Sequence, residues 1–220
     1  MNKKCLIISG GEFCLPDEDS VQFDFVIACD KGYEYAVKLD IKPNLILGDF
    51  DSISKKYKSI LKEQKNCSNV EIQEYPPEKD DTDTMLAVKT AFSKGYKDIT
   101  ILCGFGNRLD HAFANIQTAA YIVKNGGTAK IIGASDILYA FTNATVSFTK
   151  TNDFSLSVFA YSKKCTGVSI KGAKYEIEDL ELEHTFPLGV SNEWKENEVQ
   201  ISVEKGILMV IKSSVKKEDL

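Results

Sequence analysis

The first 135 residues alternate short apolar runs with helix-like segments, and this alternation constrains the fold more than any other feature of the chain. The apolar runs are CLIIS, FDFVIAC, NLILG, VEIQEY, ITILC and AKIIG. The clearest helix-like segments are YEYAVKLD, SKKYKSILKEQK, TDTMLAVKTAFSKG and LDHAFANIQTAAYIVKNGG. Strands that are apolar at nearly every position, joined by helices, are typical of a mostly parallel sheet covered on both faces. We therefore predict an α/β, Rossmann-like N-terminal domain over residues 1–135.

From residue 136 the pattern changes to short strands without a convincing helix. Several of these strands, such as FSLSVFAYS and EVQISVE, alternate apolar with polar residues. This pattern predicts a C-terminal antiparallel β-sandwich over residues 136–220. Within it, residues 204–206 (EKG) are expected to form a tight hairpin between the last two strands. The segment 187–199 (PLGVSNEWKENEV) interrupts the strand pattern and is the most site-like loop of this domain.

Charge and cysteine usage exclude several classes of protein. The net charge of −5 argues against a partner such as nucleic acid or an anionic membrane, which require a basic surface. No apolar stretch approaches the roughly 20 residues that span a bilayer. The six cysteines are scattered without a CxxC pair, and several lie in apolar runs. They are therefore predicted to be reduced core residues of a cytoplasmic protein.

Glycines or carboxylates directly follow four of the predicted parallel strands. In chain order these residues are Gly10 and Gly11, Asp30, Asp49 and Asp51, and Gly104 and Gly106. Ligands of open α/β sheets bind outside the carboxyl ends of the strands. The four strand ends therefore predict one ligand site at one edge of the sheet.

Asp49 and Asp51 end the run LILGDFDS and, two residues apart, point to the same side of an extended chain. Such close carboxylates raise each other's pKa unless a cation compensates. Mg²⁺ suits the pair because it prefers oxygen ligands shared between carboxylates and phosphates. The alternative is that both residues cap the turn and the following helix. The pair alone supports the two interpretations equally.

The segment 76–88 (PPEKDDTDTMLAV) carries a second acidic group, Asp80, Asp81 and Asp83, at a predicted helix start. Acidic residues favour a helix N-terminus, and Thr82 is a suitable N-cap. A third acid beside Lys79 exceeds what the helix start needs. It therefore favours a cluster that folds against the first one, with Lys79 available for phosphate.

The segment 103–115 (CGFGNRLDHAFAN) places Arg108, Asp110 and His111 after a glycine-rich turn, at a helix start. Exposed backbone N–H groups and the helix N-terminus favour phosphate, and Arg108 can grip two phosphate oxygens. A lone GxG is common in loops, and His111 is more often a capping or packing residue than a catalyst. In the C-terminal loop, Trp194 could stack on a flat ring, although a lone tryptophan is usually a core residue.

The combined motifs GDFDS, KDDTD, GFGNRLDH and LGVSNEW resemble the thiamine pyrophosphokinase (thiamine diphosphokinase) family, in order and spacing, over nearly the whole chain. The resemblance implies a transferase, a kinase of thiamine diphosphate biosynthesis, with ATP and thiamine as substrates. Such enzymes transfer the diphosphoryl group of ATP to the thiamine hydroxyl, giving thiamine diphosphate and AMP, with Mg²⁺ as cofactor. It further implies an α/β domain that binds nucleotide and Mg²⁺, a β-sandwich that binds thiamine, and a homodimer.

Residue roles follow from the same resemblance. The implied Mg²⁺ ligands are Asp49, Asp51 and Asp83, and the other acidic residues of the catalytic set are Asp30 and Asp80. The implied nucleotide-binding residues are Gly10, Gly11, Lys79, Arg108 and Asp110. The implied thiamine-binding residues are Ser191, Asn192 and Trp194. The chain departs from the family where Lys31 and Tyr33 replace the usual small residues after Asp30, which leaves the contacts at this strand end open.

Two other functions are compatible with parts of the sequence. A phosphatase of the haloacid dehalogenase type carries an apolar strand followed by DxD, with Asp49 as nucleophile and Asp51 as acid. In that family the motif lies on the first strand, whereas two strand-like runs precede it here. A non-catalytic sensor of thiamine or nucleotide would also keep the pockets, but binding alone seldom needs so many clustered carboxylates.

Overall fold

The computed structural model describes residues 3–17, 22–67, 70–76, 78 and 80–215. The chain divides into two compact units, Met1–Ala134 and Ser135–Leu220. The first is an α/β unit and the second consists of β-strands, which confirms the predicted fold class. Within the described part of the chain, no helix has the length and apolar character needed to cross a membrane.

The first unit contains a sheet of six strands, all parallel. The strands are β1 (Lys4–Ile8), β2 (Phe25–Cys29), β3 (Leu45–Gly48), β4 (Glu71–Glu74), β5 (Asp98–Leu102) and β6 (Thr128–Ile132). Their order across the sheet is β6-β5-β1-β2-β3-β4. The strand order therefore reverses between β1 and β5.

Four helices connect these strands: α1 (Gly32–Lys38), α2 (Lys55–Cys67), α3 (Asp83–Ser93) and α4 (Leu109–Lys124). Thr82 caps α3 as predicted, because its side-chain oxygen accepts a hydrogen bond from the Met85 N–H at 3.2 Å. The α3 helix buries Ala87, Val88 and Ala91 and contacts β1, β2 and β3. Strands β1, β2, β3 and β5 are buried beyond their first residue, so both faces of the sheet are covered.

The second unit is a sandwich of two antiparallel four-stranded sheets. Its strands are β7 (Asp136–Phe141), β8 (Ala144–Thr149), β9 (Phe154–Ala160), β10 (Lys164–Lys171), β11 (Ile177–Glu183), β12 (Gly189–Asn192), β13 (Glu198–Val203) and β14 (Leu208–Ser214). The sheet orders are β12-β9-β14-β7 and β11-β10-β13-β8. One hydrophobic core contains residues of both sheets, among them Val158, Val210, Val168 and Ile201.

The hairpin predicted at residues 204–206 is wrong. Strand β13 pairs with β8 and β10, whereas β14 pairs with β7 and β9, so the chain passes from one sheet to the other at this turn. Gly206 has a φ of 93°, and a Cβ there would lie 2.5 Å from the Lys164 carbonyl oxygen. The glycine is therefore needed for a close crossing between layers, although it resembles a hairpin glycine in the sequence.

Candidate active site

A cavity of about 720 Å³ opens at the carboxyl edge of the parallel sheet of the first unit. It is lined by the loops that follow β1, β2, β3 and β5 and by the starts of α3 and α4. It thus lies where the strand order reverses, which is the usual ligand site of such sheets. Its volume is within the range of about 300–1,000 Å³ that is typical of small-molecule sites.

Three carboxylates meet at the ends of β2 and β3. Asp30, Asp49 and Asp51 each offer an oxygen, and these oxygens lie within 4.8 Å of one another. The Phe50 N–H donates to Asp30 Oδ1 at 2.9 Å, and the Asp51 N–H donates to Asp49 Oδ1 at 3.0 Å. These bonds fix a turn in which Phe50 has a φ of 61°, so the carboxylates converge through this turn and not along an extended strand end as the sequence spacing predicts.

Gly48 makes this convergence possible. Its φ is 146°, and a Cβ at this position would lie 1.9 Å from Asp30 Oδ1. Any side chain at residue 48 would therefore occupy the place of the Asp30 carboxyl group. The glycine that ends LILG is required because another strand's acidic residue packs over it.

The electrostatics of the cluster favour a cation. Burial raises the pKa of Asp30 to about 7, and a hydrogen bond to the Asp83 carboxyl group and the charges of Asp83 and Asp49 add to this effect. The Phe50 N–H acts in the opposite direction. A divalent cation between the carboxylates would stabilise their ionised forms. Because all donors are hard oxygens, Mg²⁺ fits this group.

The second acidic segment contributes one of its three aspartates to the cavity. Asp83 lines the cavity and hydrogen-bonds with Asp30. Asp80 is exposed and is not among the lining residues, and Asp81 binds Lys89 at 2.6 Å. Lys79 lies outside the described residues. The carboxylate cluster therefore consists of Asp30, Asp49 and Asp51, and Asp83 adjoins it through its hydrogen bond with Asp30.

Two glycine loops form the opposite wall. The Gly11 N–H donates to the Cys103 carbonyl at 3.0 Å, and the Glu12 N–H donates to the Phe105 carbonyl at 2.7 Å. A Cβ at Gly11 would lie 2.3 Å from the Phe105 carbonyl oxygen, so no other residue allows this approach. The predicted nucleotide-binding glycines, Gly10 and Gly11, line the cavity beside the loop 104–106.

Three buried polar side chains that the sequence analysis did not single out support these loops. Glu34 accepts from the Ser54 N–H at 2.6 Å, which holds the segment that follows Asp51. The Tyr35 hydroxyl donates to the Gly11 carbonyl at 2.8 Å, and Asn115 Nδ2 donates to the Gly104 carbonyl at 2.6 Å. The sequence carries no signal for Glu34, because its burial is seen only in the structure and its partner is 20 residues away.

Arg108 lines the cavity at the start of α4. Its guanidinium donates to both carboxylate oxygens of Asp110, at 3.2 and 2.6 Å, and thereby lowers the pKa of Asp110. Asp110 is not a lining residue, so its contact is with Arg108. His111 also lines the cavity, and its backbone N–H donates to Asp110 at 3.0 Å.

The predicted thiamine-binding residues lie in or next to β12 of the second unit. Ser191 has a φ of 57°, and its N–H donates to Ser157 Oγ at 3.0 Å. Asn192 is buried, and its amide binds the backbone of Tyr175 through both oxygen and nitrogen. Trp194 packs into the core of the sandwich and donates to the Phe148 carbonyl at 3.1 Å. This placement matches the ordinary core role of a lone tryptophan.

A small apolar groove of about 80 Å³ lies beside β12. Its walls are formed by the side chains of Val158, Ile170, Tyr175, Ile177, Leu182, Leu188, Val190 and Asn192 and by Gly189. The Tyr175 side chain is 63% exposed at the edge of the groove. A flat aromatic ligand would therefore find an exposed ring there.

Comparisons with known proteins agree across both units. The sequence model described as "Thiamin pyrophosphokinase, catalytic domain" matches residues 20–131, and the one described as "Thiamin pyrophosphokinase, vitamin B1 binding domain" matches residues 143–208. The chain is 29% identical to thiamine pyrophosphokinase of Bacillus subtilis over 86% of each chain. It is 27% identical to thiamin pyrophosphokinase 1 of Caenorhabditis elegans, over 77% of this chain and 70% of the relative.

Solved structures give the same answer at the level of the fold. The crystal structure of thiamine pyrophosphokinase from Bacillus subtilis superposes with a TM-score of 0.86 at 26% identity, covering 97% of this chain and all of the relative. Thiamin pyrophosphokinase from Candida albicans shares the fold, with a TM-score of 0.75 at 15% identity over 97% of this chain and 90% of the other. With the first model spanning half of the chain and the second most of the remainder, the chain belongs to the thiamin pyrophosphokinase family.

Proposed function

We propose that this chain is a thiamine diphosphokinase, which transfers the diphosphoryl group of ATP to the hydroxyl of thiamine and releases AMP. The observation that carries the proposal is the carboxylate cluster of Asp30, Asp49 and Asp51, in a chain of this family, facing two glycine loops across one cavity. Diphosphoryl transfer needs charge neutralisation and alignment of the phosphate chain more than covalent chemistry. Carboxylates that hold a metal and backbone N–H groups that bind phosphate supply these two requirements.

The two units are assigned different substrates. We propose that the first unit binds ATP and Mg²⁺, which is supported by its cavity, its hard oxygen donors and the description of its family model as catalytic. The second unit would bind thiamine, which is supported by the description of its model as a vitamin B1 binding domain. Asn192 would lie beside the ligand in the groove at β12, exposed Ser191 would contact it from the adjoining strand position, and Trp194 would support the groove from the core.

In the first unit, Mg²⁺ would be held by Asp49 and Asp51, with Asp30 or Asp83 completing the set. Bound there, the metal would act as a Lewis acid on the phosphate oxygens. Gly10 and the backbone of residues 105–106 would hold the phosphates that the metal does not contact, because the Gly11 N–H already donates to the Cys103 carbonyl. Because Asp80 lies away from the cavity, Asp30 and Asp51 are the better candidates to accept the proton of the thiamine hydroxyl.

The other two functions are less well supported. In the phosphatase interpretation Asp49 is a nucleophile, but here the Asp49 segment follows the third strand, and the chain belongs to another family. In the sensor interpretation the pockets bind without turnover, which leaves the convergence of so many carboxylates without a purpose.

We further propose that the protein is a cytoplasmic homodimer. The cytoplasmic assignment is supported by buried cysteines that form no disulfide with one another: Cys5, Cys14, Cys29, Cys103 and Cys165. The dimer is supported by exposed apolar side chains on the second unit, which a partner subunit would cover. These side chains are Tyr175, Phe186, Leu188 and Val190. Sedimentation of the purified protein measures its oligomeric state.

The central experiment incubates the protein with ATP, Mg²⁺ and thiamine and quantifies the products. We expect equal amounts of AMP and thiamine diphosphate, and loss of turnover in Asp51→Asn and Asp83→Asn with the fold retained. Asp81→Asn is the matched control for Asp83, because Asp81 belongs to the same segment but binds Lys89. Wild-type rates in Asp51→Asn would refute the metal assignment, and wild-type rates in Asp83→Asn would exclude Asp83 and assign the third position to Asp30. Inorganic phosphate released without thiamine would support the phosphatase, and binding of both ligands without AMP would support the sensor.

A further inference from the structure

We propose that Lys31 binds the phosphate chain of the nucleotide, at the end of the chain that faces the carboxylate cluster. Lys31 follows Asp30 directly, just beyond the end of β2. The inference rests on the proposed nucleotide site and assigns to that site a residue that the family motifs do not include.

The position of Lys31 places its side chain at the cavity. Lys31 lines the cavity, and its stem lies against the first glycine loop, since a Cβ built at Gly10 would be 3.4 Å from Lys31 Cβ. Asp30, the next residue, belongs to the carboxylate cluster. Lys31 thus lies between the loop that would bind phosphate and the group that would bind the metal.

The charges around the cavity leave a role for this ammonium. Five carboxylate residues line the cavity: Glu12, Asp30, Asp49, Asp51 and Asp83. Among the described lining residues, the lysine and arginine side chains that could balance these acids are Lys31 and Arg108. The Arg108 guanidinium already donates to both carboxylate oxygens of Asp110. A triphosphate entering so acidic a cavity needs positive charge beyond that of the metal.

The Lys31 ammonium is held by a contact that leaves it available to a ligand. Its Nζ lies 5.5 Å from the centre of the Tyr35 ring, and within the described ranges no carboxylate forms an ion pair with it. Tyr35 is the residue whose hydroxyl binds Gly11, so the ring holds the ammonium beside the glycine loop. A cation–π contact does not use the N–H groups, and all three remain free to donate to phosphate oxygens.

The test compares Lys31→Met with Lys38→Met. The Lys38 ammonium lies at the same distance of 5.5 Å from the Tyr35 ring, but Lys38 is not a lining residue. Both substitutions therefore remove one positive charge and one contact with the Tyr35 ring, and Lys38→Met also removes a contact with the Phe13 ring at 5.5 Å. Calorimetry in Mg²⁺ without thiamine measures the Kd of ATP, ADP and AMP for both variants and the wild type.

We expect Lys31→Met to raise the Kd of ATP about tenfold, as for loss of one hydrogen bond between charged groups. The Kd of AMP should change less than about twofold, and Lys38→Met should bind all three nucleotides as the wild type does. Lys31→Arg, which keeps the charge, should restore most of the affinity for ATP. Equal Kd changes in the two Met variants, or equal losses for ATP and AMP, would overturn the proposal.

The proposed function and this inference fail in different ways. A wild-type protein that forms no AMP, but binds ATP in a manner that depends on Lys31, would contradict the activity and keep the inference. A protein that forms thiamine diphosphate, with Lys31→Met binding ATP normally, would keep the activity and reject the inference.

Discussion

Replacing Asp30 by asparagine should stabilise the metal-free protein at pH 8 and leave its stability unchanged near pH 4. Asparagine reproduces the protonated carboxyl group, because its oxygen can accept from the Phe50 N–H and its amide can donate to the Asp83 carboxylate. The wild-type carboxyl group has a pKa of about 7 in the fold, well above the value of about 3.9 in an unfolded chain. The folded protein therefore binds the proton more tightly than the unfolded chain does.

The sign and size of the effect follow from that difference. Between pH 4 and pH 7 the folded state retains a proton that the unfolded state has lost, so the free energy of unfolding falls as pH rises through this window. The full difference between the two pKa values would correspond to about 4 kcal/mol. Because Asp30 is partly exposed, solvent screening reduces this, and we expect about 1–2 kcal/mol at pH 8.

Urea unfolding followed by far-ultraviolet circular dichroism, in EDTA, measures this effect at each pH. Asp40→Asn is the matched control, because Asp40 also has a positive φ, 54° against 45° at Asp30, but is exposed. Asparagine is favoured at such backbone angles, so this contribution is common to both variants. A stability gain in Asp30→Asn that is the same at pH 4 and pH 8, or that Asp40→Asn matches, would refute the assignment of the effect to ionisation of the Asp30 carboxyl group.

Two further predictions concern the residues that hold the loops. Glu34→Ala should lower the free energy of unfolding by about 1–3 kcal/mol and raise the Mg²⁺ concentration needed for turnover, because the Ser54 N–H loses its acceptor. Glu34→Gln keeps an acceptor oxygen, so both changes should be less than half as large. Gly11→Ala should cost about 1–3 kcal/mol because its Cβ meets two backbone carbonyls, whereas Gly10→Ala, with no contact under 3.4 Å, should unfold like the wild type. Urea titrations and Mg²⁺-dependent rates measure these effects, and equal stability of the two alanine variants would contradict the second prediction.

The sequence is informative about the site because the site is built at strand ends. Apolar runs identify the strands, and the residues that follow them, such as Asp49 and Gly104, must then lie at one edge of a parallel sheet. The Thr82 cap is local for the same reason, since donor and acceptor are three residues apart. Features that involve residues only a few positions apart can be predicted without knowing how distant segments of the chain pack.

The features that the sequence did not reveal depend on contacts between distant segments. Tyr35 and Gly11 are 24 residues apart, and the carboxyl group that packs over Gly48 comes from another strand. The turn at residues 204–206 has the composition of a hairpin, but the two strands that flank it belong to different sheets. Only the packing of the sandwich decides between these outcomes, because both satisfy the same local preferences.

The neighbouring residues Glu34 and Tyr35 on α1 have a consequence for mutational studies of this protein. Glu34 supports the segment that follows the acidic turn, and Tyr35 supports the first glycine loop, so one short helix fixes the spacing between opposite walls of the cavity. We therefore expect substitutions at buried positions of α1, for example at Ala36, to move both walls together. In a saturation mutagenesis scan, substitutions at such positions should therefore reduce function as substitutions of the metal-binding and phosphate-binding residues do. The substituted residues themselves contact neither ligand.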